Sequence, residues 1–444
     1  MTEKNFISYD PEQLFLLPPD LRDWLPADHM VYFIIDVVKE INLKPFFNQY
    51  NSTGRPSYHP RMMLGVLLYA YCTGITSSRK IEKACHESIA FRVLSADQKP
   101  DHDTISNFRS KHLSDLSCLF KDILHLCSKA GLVKLGNIAI DGSKFKANAS
   151  KHKAMSYDRI QPTMERLEQE IKALLDESMR VDADEDAKYG KGKRADEIPH
   201  DLKIRKSRLE KIRQAKQELE EEALEKANYN NNDNESKSGK TEKTSSSPRP
   251  TAQRNFTDSD SRIMKDGASK EFIQGYNSQV AVDSKTQIIV ASHLSQEAND
   301  KNQIEVIIGK LEINEPSAKG CQITADAGYF SEKNIEFLEK KYDPYIATGR
   351  IKHGASQVAP KGRIPQNASV KERMARKLRT MKGKNIYKMR KAIVEPVFGQ
   401  IKHCQGIRSF LLRGYEKVSK EWDFICATHN LNKLFRYNRI VLQR

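Results

Sequence analysis

Paired cysteines are what this sequence most plainly lacks. Seven cysteines are scattered singly through 444 residues, with no CxxC pair, which argues against both a zinc knuckle and a disulfide framework. Long apolar runs are missing too. The longest, at residues 62–72, is interrupted by Gly65, Tyr69 and Tyr71, and a membrane span needs roughly 18 apolar residues. No basic stretch followed by an apolar one opens the chain, so no secretory signal is expected. These absences point to a reduced cytoplasmic protein without membrane contact.

Charge of one sign is scarce in one place only. The net charge is +16, yet residues 341–444 hold 24 Lys or Arg against 6 Asp or Glu, a local excess of 18. The last quarter therefore carries the whole surplus, and the remainder is close to neutral. A surplus so concentrated suits a polyanion, most simply nucleic acid, although a soluble basic face would look the same. At 38% hydrophobic residues the chain can build cores, and its length implies about two or three domains.

Residues 1–130 read as helical. An apolar segment at 30–41 can be capped by Asp28. Pro60 opens a second helix that ends near Gly74, and a third element covers 78–94. Asp103 can cap the next helix, where Leu116, Leu119, Phe120, Ile123, Leu124 and Cys127 recur at helical spacing before Gly131. Short helices with Arg79, Lys80, Arg109 and Lys111 exposed fit a helix-turn-helix-like DNA-binding module, and equally a plain bundle. His102 between two aspartates reads as a turn residue before it reads as a metal ligand.

The character changes after Gly136. Residues 137–140 form a short apolar run that reads as a buried strand delivering Asp141 at its C-terminal end, with four lysines close behind. From about 160 to 220, Met164, Leu167, Ile171 and Leu174, then Leu202, Leu209, Ile212 and Leu219, predict an antiparallel helical hairpin. A polar tract at 230–250 reads as a flexible linker. Strand signals then resume: 276–282 and 287–292 flank a turn at Asp283, a helix is expected over 302–311, and residues 321–325 make another buried strand ending in an acid, Asp326. A helix at 331–341 and a strand at 345–348 follow. This order predicts an α/β fold, a mixed sheet of RNase H-like type, with the hairpin and linker inserted after the first strand. The expected division is a helical DNA-binding domain at 1–132 and a catalytic domain at 133–444, interrupted over 158–255.

Between residues 361 and 391 stand 12 basic residues against one acid, Glu372, which with Ser369 makes a capping box. A helix follows on which Val394, Val397, Phe398 and Ile401 share one apolar stripe. Lys391, Glu395 and Lys402 run along its edge, a row that also reads as ordinary surface ion pairs. Pro396 interrupts that helix. A last helix is expected over 422–435.

Three acids stand out: Asp141 and Asp326 at strand ends, and Glu395 on the late helix. An RNase H-like sheet would gather them, because its first and fourth strands are neighbours. Hard oxygen ligands of this kind suit two Mg²⁺ ions, with Mn²⁺ as the alternative, and two such ions about 3.5–4 Å apart serve phosphodiester cleavage. Asp283, Asp258 and Asp260 are rivals, since an aspartate before a turn is commonly just a turn residue.

The C-terminal stretch resembles the Tyr-Arg-Glu-Lys signature of DDE insertion-sequence transposases, matched by Tyr387, Arg390, Glu395 and Lys402. One extra residue separates Arg390 from Glu395, and the strict spacing falls on Lys388 and Lys391. The segments GRPSYHPRMML, TGITSSRKIE, AIDGSKFKANASKHK, FIQGYNSQVAVD and ITADAGYFS are similar to the same family. The resemblance implies a catalytic, metal-holding triad of Asp141, Asp326 and Glu395. It also implies DNA phosphates gripped by Tyr387, Arg390 or Lys391, and Lys402. It further implies a homodimer in a synaptic complex on double-stranded DNA, in the nucleoid of a prokaryotic cell, cutting and joining insertion-sequence ends. A non-catalytic DNA-binding descendant, or a nuclease without strand transfer, would share these residues.

Overall fold

Among the described residues, every regular element of the first unit is helical. The computed structural model describes residues 20–50, 57–189, 200–233, 247–267, 269–349, 365 and 367–442. It divides into two units, Met1–Asp115 with Leu431–Arg444, and Leu116–Asn430. The first contains α1 (Met30–Glu40), α2 (Lys44–Phe47), α3 (Pro60–Cys72), α4 (Ser78–Glu87), α5 (Ile89–Leu94) and α6 (His102–Lys111). α3 is buried at nearly every position, from Met63 to Cys72, as its unbroken apolar run requires.

Four local expectations are corrected here. His29, not Asp28, caps α1, its Nδ1 accepting from the Val31 amide at 3.2 Å. Asp101, not Asp103, caps α6, accepting from the Thr104 amide at 2.6 Å, because the helix begins two residues earlier and leaves Asp103 in its first turn. The single element expected over 78–94 is two helices, broken where Ser88 is extended. Arg109 is buried rather than exposed: its guanidinium donates to Tyr71 Oη, the Thr76 carbonyl and Ser78 Oγ. Arg79, Lys80 and Lys111 are exposed. His102 bonds Glu82 Oε2 at 2.9 Å and so acts as a tie between α4 and α6.

The second unit is mixed α/β. α7 (Leu113–Lys129) leads into β1 (Asn137–Lys146) and β2 (Ala154–Ser156). The long helices α8 (Tyr157–Tyr189) and α9 (His200–Asp233) follow, and then β3 (Gln253–Asn255), β4 (Arg262–Lys265), β5 (Phe272–Asp283) and β6 (Ile289–Ser295). The chain continues through α10 (Ile304–Asn314), β7 (Gln322–Ala325), α11 (Glu332–Glu339) and β8 (Asp343–Ile346). It ends with α12 (Val370–Arg379), α13 (Met381–Gly399) and α14 (Tyr415–Leu442).

The main sheet has the order β4-β5-β1-β7-β8, with β6 also on β5. β4 pairs with the first residues of β5 and β6 with the later ones, both antiparallel. β1 runs antiparallel to β5 along its length, from Ile138↔Asp283 to Lys146↔Gly275, and parallel to β7 only from Asn137 to Ala139. β1 therefore does not end at Asp141, as its apolar run suggested. β5 carries it on for five more residues, while its parallel partner has already stopped.

α8 and α9 bury Ile160, Leu167, Leu209, Ile212 and Leu219 against one another, and Arg205–Glu170 and Arg213–Glu168 ion pairs flank that seam. Arg205 lies beside the seam. The hairpin's connecting loop at 190–199 and most of the expected linker, 234–246, lie outside the described residues. β2 pairs with β3 across the insertion, Ala154↔Asn255 to Ser156↔Gln253.

α13 packs on β1, β7 and β8 through Ile393, Val394, Val397 and Phe398, with Ile401 just beyond it. Burial of such side chains contributes about 2 kcal/mol each. The expected capping box is present at the start of α12, with Ser369 and Glu372 bonding reciprocally. Pro396 sits inside α13 and cannot donate to the Ala392 carbonyl. Gln287 Nε2, from the β5–β6 turn, donates to that carbonyl instead at 3.1 Å.

Candidate active site

β1 and β7 lie side by side, and Asp141, two residues past their last paired position on β1, comes near Asp326, 185 residues away in sequence. Asp326 follows the last residue of β7 and caps a short turn, its Oδ1 accepting from the Gly328 amide at 2.8 Å. Asp141 is half-buried. Its Oδ1 accepts from the Gly142 amide at 2.9 Å and its Oδ2 from Arg390 Nη1 at 2.8 Å.

Burial pushes the Asp141 carboxyl up to about 6; Arg390 opposes this shift and the charge of Asp326 adds to it. From the ordinary value of 3.8, that corresponds to about 3 kcal/mol against the ionised form. The Asp141 carboxylate is therefore short of positive charge, even with a guanidinium in contact.

α13 supplies the cation. Arg390 is buried on its inner face; burial opposes the guanidinium's charge, but Asp141, Tyr387 and Asp326 outweigh this and raise its pKa. Tyr387, one turn earlier, lies against the same guanidinium at 5.9 Å from ring centroid to Cζ, and burial raises its hydroxyl pKa. Lys391 is exposed. Of the two basic residues competing for the signature position, Arg390 is the one turned toward the carboxylates.

Lys402 lies in the π-helical turn Gln400–Cys404. Its Nζ donates to Ser143 Oγ at 2.7 Å and to the Lys144 carbonyl at 2.9 Å, and sits 4.5 Å from the Phe145 ring. Burial lowers its pKa. The tail of β1 is held there by the segment that follows, with the Phe410 amide donating to the Lys146 carbonyl and the Lys146 amide to the Arg408 carbonyl. Phe145, Phe398, Phe410 and Trp422 form the aromatic floor beneath it.

Glu395 is exposed on α13, between the turns that carry Arg390 and Lys402. Among the described residues no group of three acidic, histidine or cysteine side chains is gathered closely enough to hold a metal ion. The structure thus brings Asp141, Asp326, Arg390 and Tyr387 together and leaves Glu395 at the rim.

The rival acids are occupied elsewhere. Asp283 is fully buried, accepting from the Lys134 and Leu135 amides on one oxygen and from Lys285 and Thr286 on the other. Asp258 accepts from Tyr276 Oη and the Gly414 amide, and Asp260 from the Tyr415 amide.

One carboxylate escaped the sequence reading. Asp300, between β6 and α10, sits on β1 and β5, where its Oδ1 accepts from Asn277 Nδ2 at 2.6 Å, Gln279 Nε2 at 2.7 Å and Lys144 Nζ at 3.4 Å. Tyr329 Oη, three residues past Asp326, donates to Gln279 Oε1. The only hint in sequence was polar residues on a strand otherwise apolar enough to be buried on both faces.

Two family models match the chain. One described as a transposase domain (DUF772) covers residues 19–111, and one described as a transposase DDE domain covers residues 241–431. Two segments of the chain are thus similar to transposase families. Together they support a DDE transposase. Asp326 and Glu395 fall inside the second match, and Asp141 lies between the two. No curated protein and no solved structure matches the chain.

Proposed function

We propose that this chain is a DNA transposase whose RNase H-like sheet presents Asp141 and Asp326, with Glu395 from α13, to divalent cations, and that it cleaves and joins DNA at insertion-sequence ends. The observation that carries this reading is the convergence of two distant aspartates at adjoining strands, where burial and the neighbouring Asp326 disfavour the charge of Asp141. The donor set fits Mg²⁺ or Mn²⁺, since both aspartates offer hard oxygens and a cation there would relieve the repulsion. When bound, such ions supply activation of the attacking oxygen and charge relief on the leaving one.

The chain's own residues bind and orient. Asp141 within β1 and Asp326 at the end of β7 hold their carboxylates on rigid strands, and α13, packed through its apolar face, carries Glu395 on its exposed side. Arg390, with Tyr387 beside it, neutralises Asp141 when DNA is absent and is placed to meet a phosphate instead when the backbone arrives. Lys402 and the basic residues of α12 and α13 extend that phosphate-binding surface, so binding should weaken steeply with added salt. The helical N-terminal unit would recognise end sequences, and two copies would act together in a synaptic complex.

Glu395→Gln tests the assignment of the third acid. The variant should bind end DNA as the wild type does in a gel-shift titration and lose Mg²⁺-dependent cleavage. Undiminished cutting would remove Glu395 from the catalytic set.

A further inference from the structure

Three carboxylates, rather than two, border the space between Asp141 on β1 and the turn that follows β7. Asp300 Oδ1 is taken by Asn277, Gln279 and Lys144, while no hydrogen bond among the described residues ends on Oδ2. A Cβ placed on Gly328 would lie 3.0 Å from Asp326 Oδ1 and 3.5 Å from Asp300 Oδ2. Those two oxygens are therefore at most 6.5 Å apart, the sum of the two distances. A Cβ on Gly142, the residue after Asp141, would meet Gln279 Nε2 at 2.3 Å, Asn277 Oδ1 at 2.9 Å and Asp300 Oδ1 at 3.0 Å. At Gly142 a side chain would collide with Gln279 and crowd Asn277 and Asp300, and at Gly328 it would crowd the carboxylate of Asp326.

A second observation points to a missing ligand. Asn277 is fully buried and its Oδ1 has no partner. The orientation of its amide is settled by Nδ2, which donates to Asp300 Oδ1 and to the Glu297 carbonyl at 3.0 Å. A buried acceptor without a donor is costly, about 1–3 kcal/mol, and this one is aimed at the same space. The charges agree. Asp141, Asp300 and Asp326 face Arg390 on Asp141 and Lys144 on Asp300, leaving one negative charge over.

We propose that Asp300 is a further carboxylate of the cation site, turning Oδ2 toward a divalent ion held by Asp141 and Asp326, with Asn277 Oδ1 accepting a hydrogen bond from the ion's hydration water. This rests on the cation-binding reading of the two aspartates given above. Asp300 then serves the ion through its water, which is the manner in which Mg²⁺ is commonly held.

The test is a Mn²⁺ titration of the full chain followed by electron paramagnetic resonance, with thermal unfolding in EDTA and in Mn²⁺ alongside. Asp300→Asn keeps an oxygen for Asn277 and Gln279 and removes the charge. Mn²⁺ affinity should fall about 10- to 100-fold, the range for groups that support a metal's ligands. The unfolding temperature in EDTA should stay near the wild-type value, and the upward shift with Mn²⁺ should shrink.

Mn²⁺ binding at wild-type affinity by Asp300→Asn, with binding lost in Asp141→Asn and Asp326→Asn, would overturn the role of Asp300 and leave the two-aspartate site standing. No Mn²⁺ binding by the wild type would overturn both. Should Asp300→Asn fail to fold, Lys144→Gln gives the same reading from the other side. Freeing Asp300 of its ammonium partner should tighten Mn²⁺ several-fold, and an unchanged affinity would reject the proposal.

Discussion

Asp283 and Asp141 lie three residue pairs apart on the same antiparallel ladder, and their surroundings could hardly differ more. Asp283 is buried with both oxygens filled by backbone amides and a threonine hydroxyl, so it fastens the chain before β1 to the turn after β5. Asp141 has one amide and one guanidinium, a carboxylate neighbour, and a pKa pushed up to about 6 chiefly by burial. A carboxylate whose lone pairs are spent on the backbone organises structure. One left short of positive charge at a strand end is available for chemistry.

The widest separation should come from chemistry. Asp141→Asn and Asp326→Asn should each lower DNA cleavage by on the order of 10⁴-fold, the scale on which loss of one member of a catalytic group acts. Asp283→Asn should cut at the wild-type rate per folded molecule. Single-turnover cleavage of end DNA measures all three, and a large loss in the last would erase the contrast.

Stability should rank the residues the other way. Asp283→Ala abandons several buried amides and should cost about 3–4 kcal/mol in urea unfolding, since charge-assisted hydrogen bonds contribute about 1.5–3 kcal/mol each.

The pH dependence sharpens the same contrast. Burial, then Lys310, lowers the pKa of His293 on β6 from 6.5 to about 4. The unfolded chain takes up that proton first as pH falls, so stability drops between about 6.5 and 4, by up to about 3 kcal/mol. Asp141 acts in the opposite sense. With its pKa raised in the cation-free fold, its contribution is present below the ordinary carboxylate range and lost as pH rises through about 6. His293→Gln should remove the first effect, and urea midpoints taken from pH 7 to pH 4 in EDTA will show whether the acid-side slope flattens.

The smallest effect belongs to the helix that carries Glu395. Gln287→Ala leaves the Ala392 carbonyl without its donor beside Pro396 and should cost about 1 kcal/mol, read as a shift of urea midpoint without loss of end-DNA binding.

Much of this arrangement is legible in the residues. Apolar periodicity gave the face of α13, the seam of α8 and α9, and the helices of the first unit. Short apolar runs ending in Asp141 and Asp326 marked both aspartates. What stayed hidden depends on partners distant in sequence. Arg109 reads as a surface cation until the Tyr71, Thr76 and Ser78 oxygens enclose it. Asp141 reads as strand-terminal because β5, which prolongs β1, arrives about 130 residues later. Asp300 sits in a polar stretch with no periodicity, and only the fold sets it on Asn277 and Gln279. The helix caps missed by one or two residues, because His29 and Asp101 compete with equally polar neighbours and the start of the helix decides between them.

The small β2–β3 ladder has an architectural consequence. Ala154↔Asn255 and Ser156↔Gln253 hold the outgoing and returning chain side by side, so everything between departs and comes back through a single doorway. The trace of the large sheet is then indifferent to how much polypeptide hangs beyond that doorway, and closing a longer excursion adds little entropy, about 0.6 kcal/mol per doubling. Arms of very different size can be grafted at this threshold while β1 and β4 keep their places.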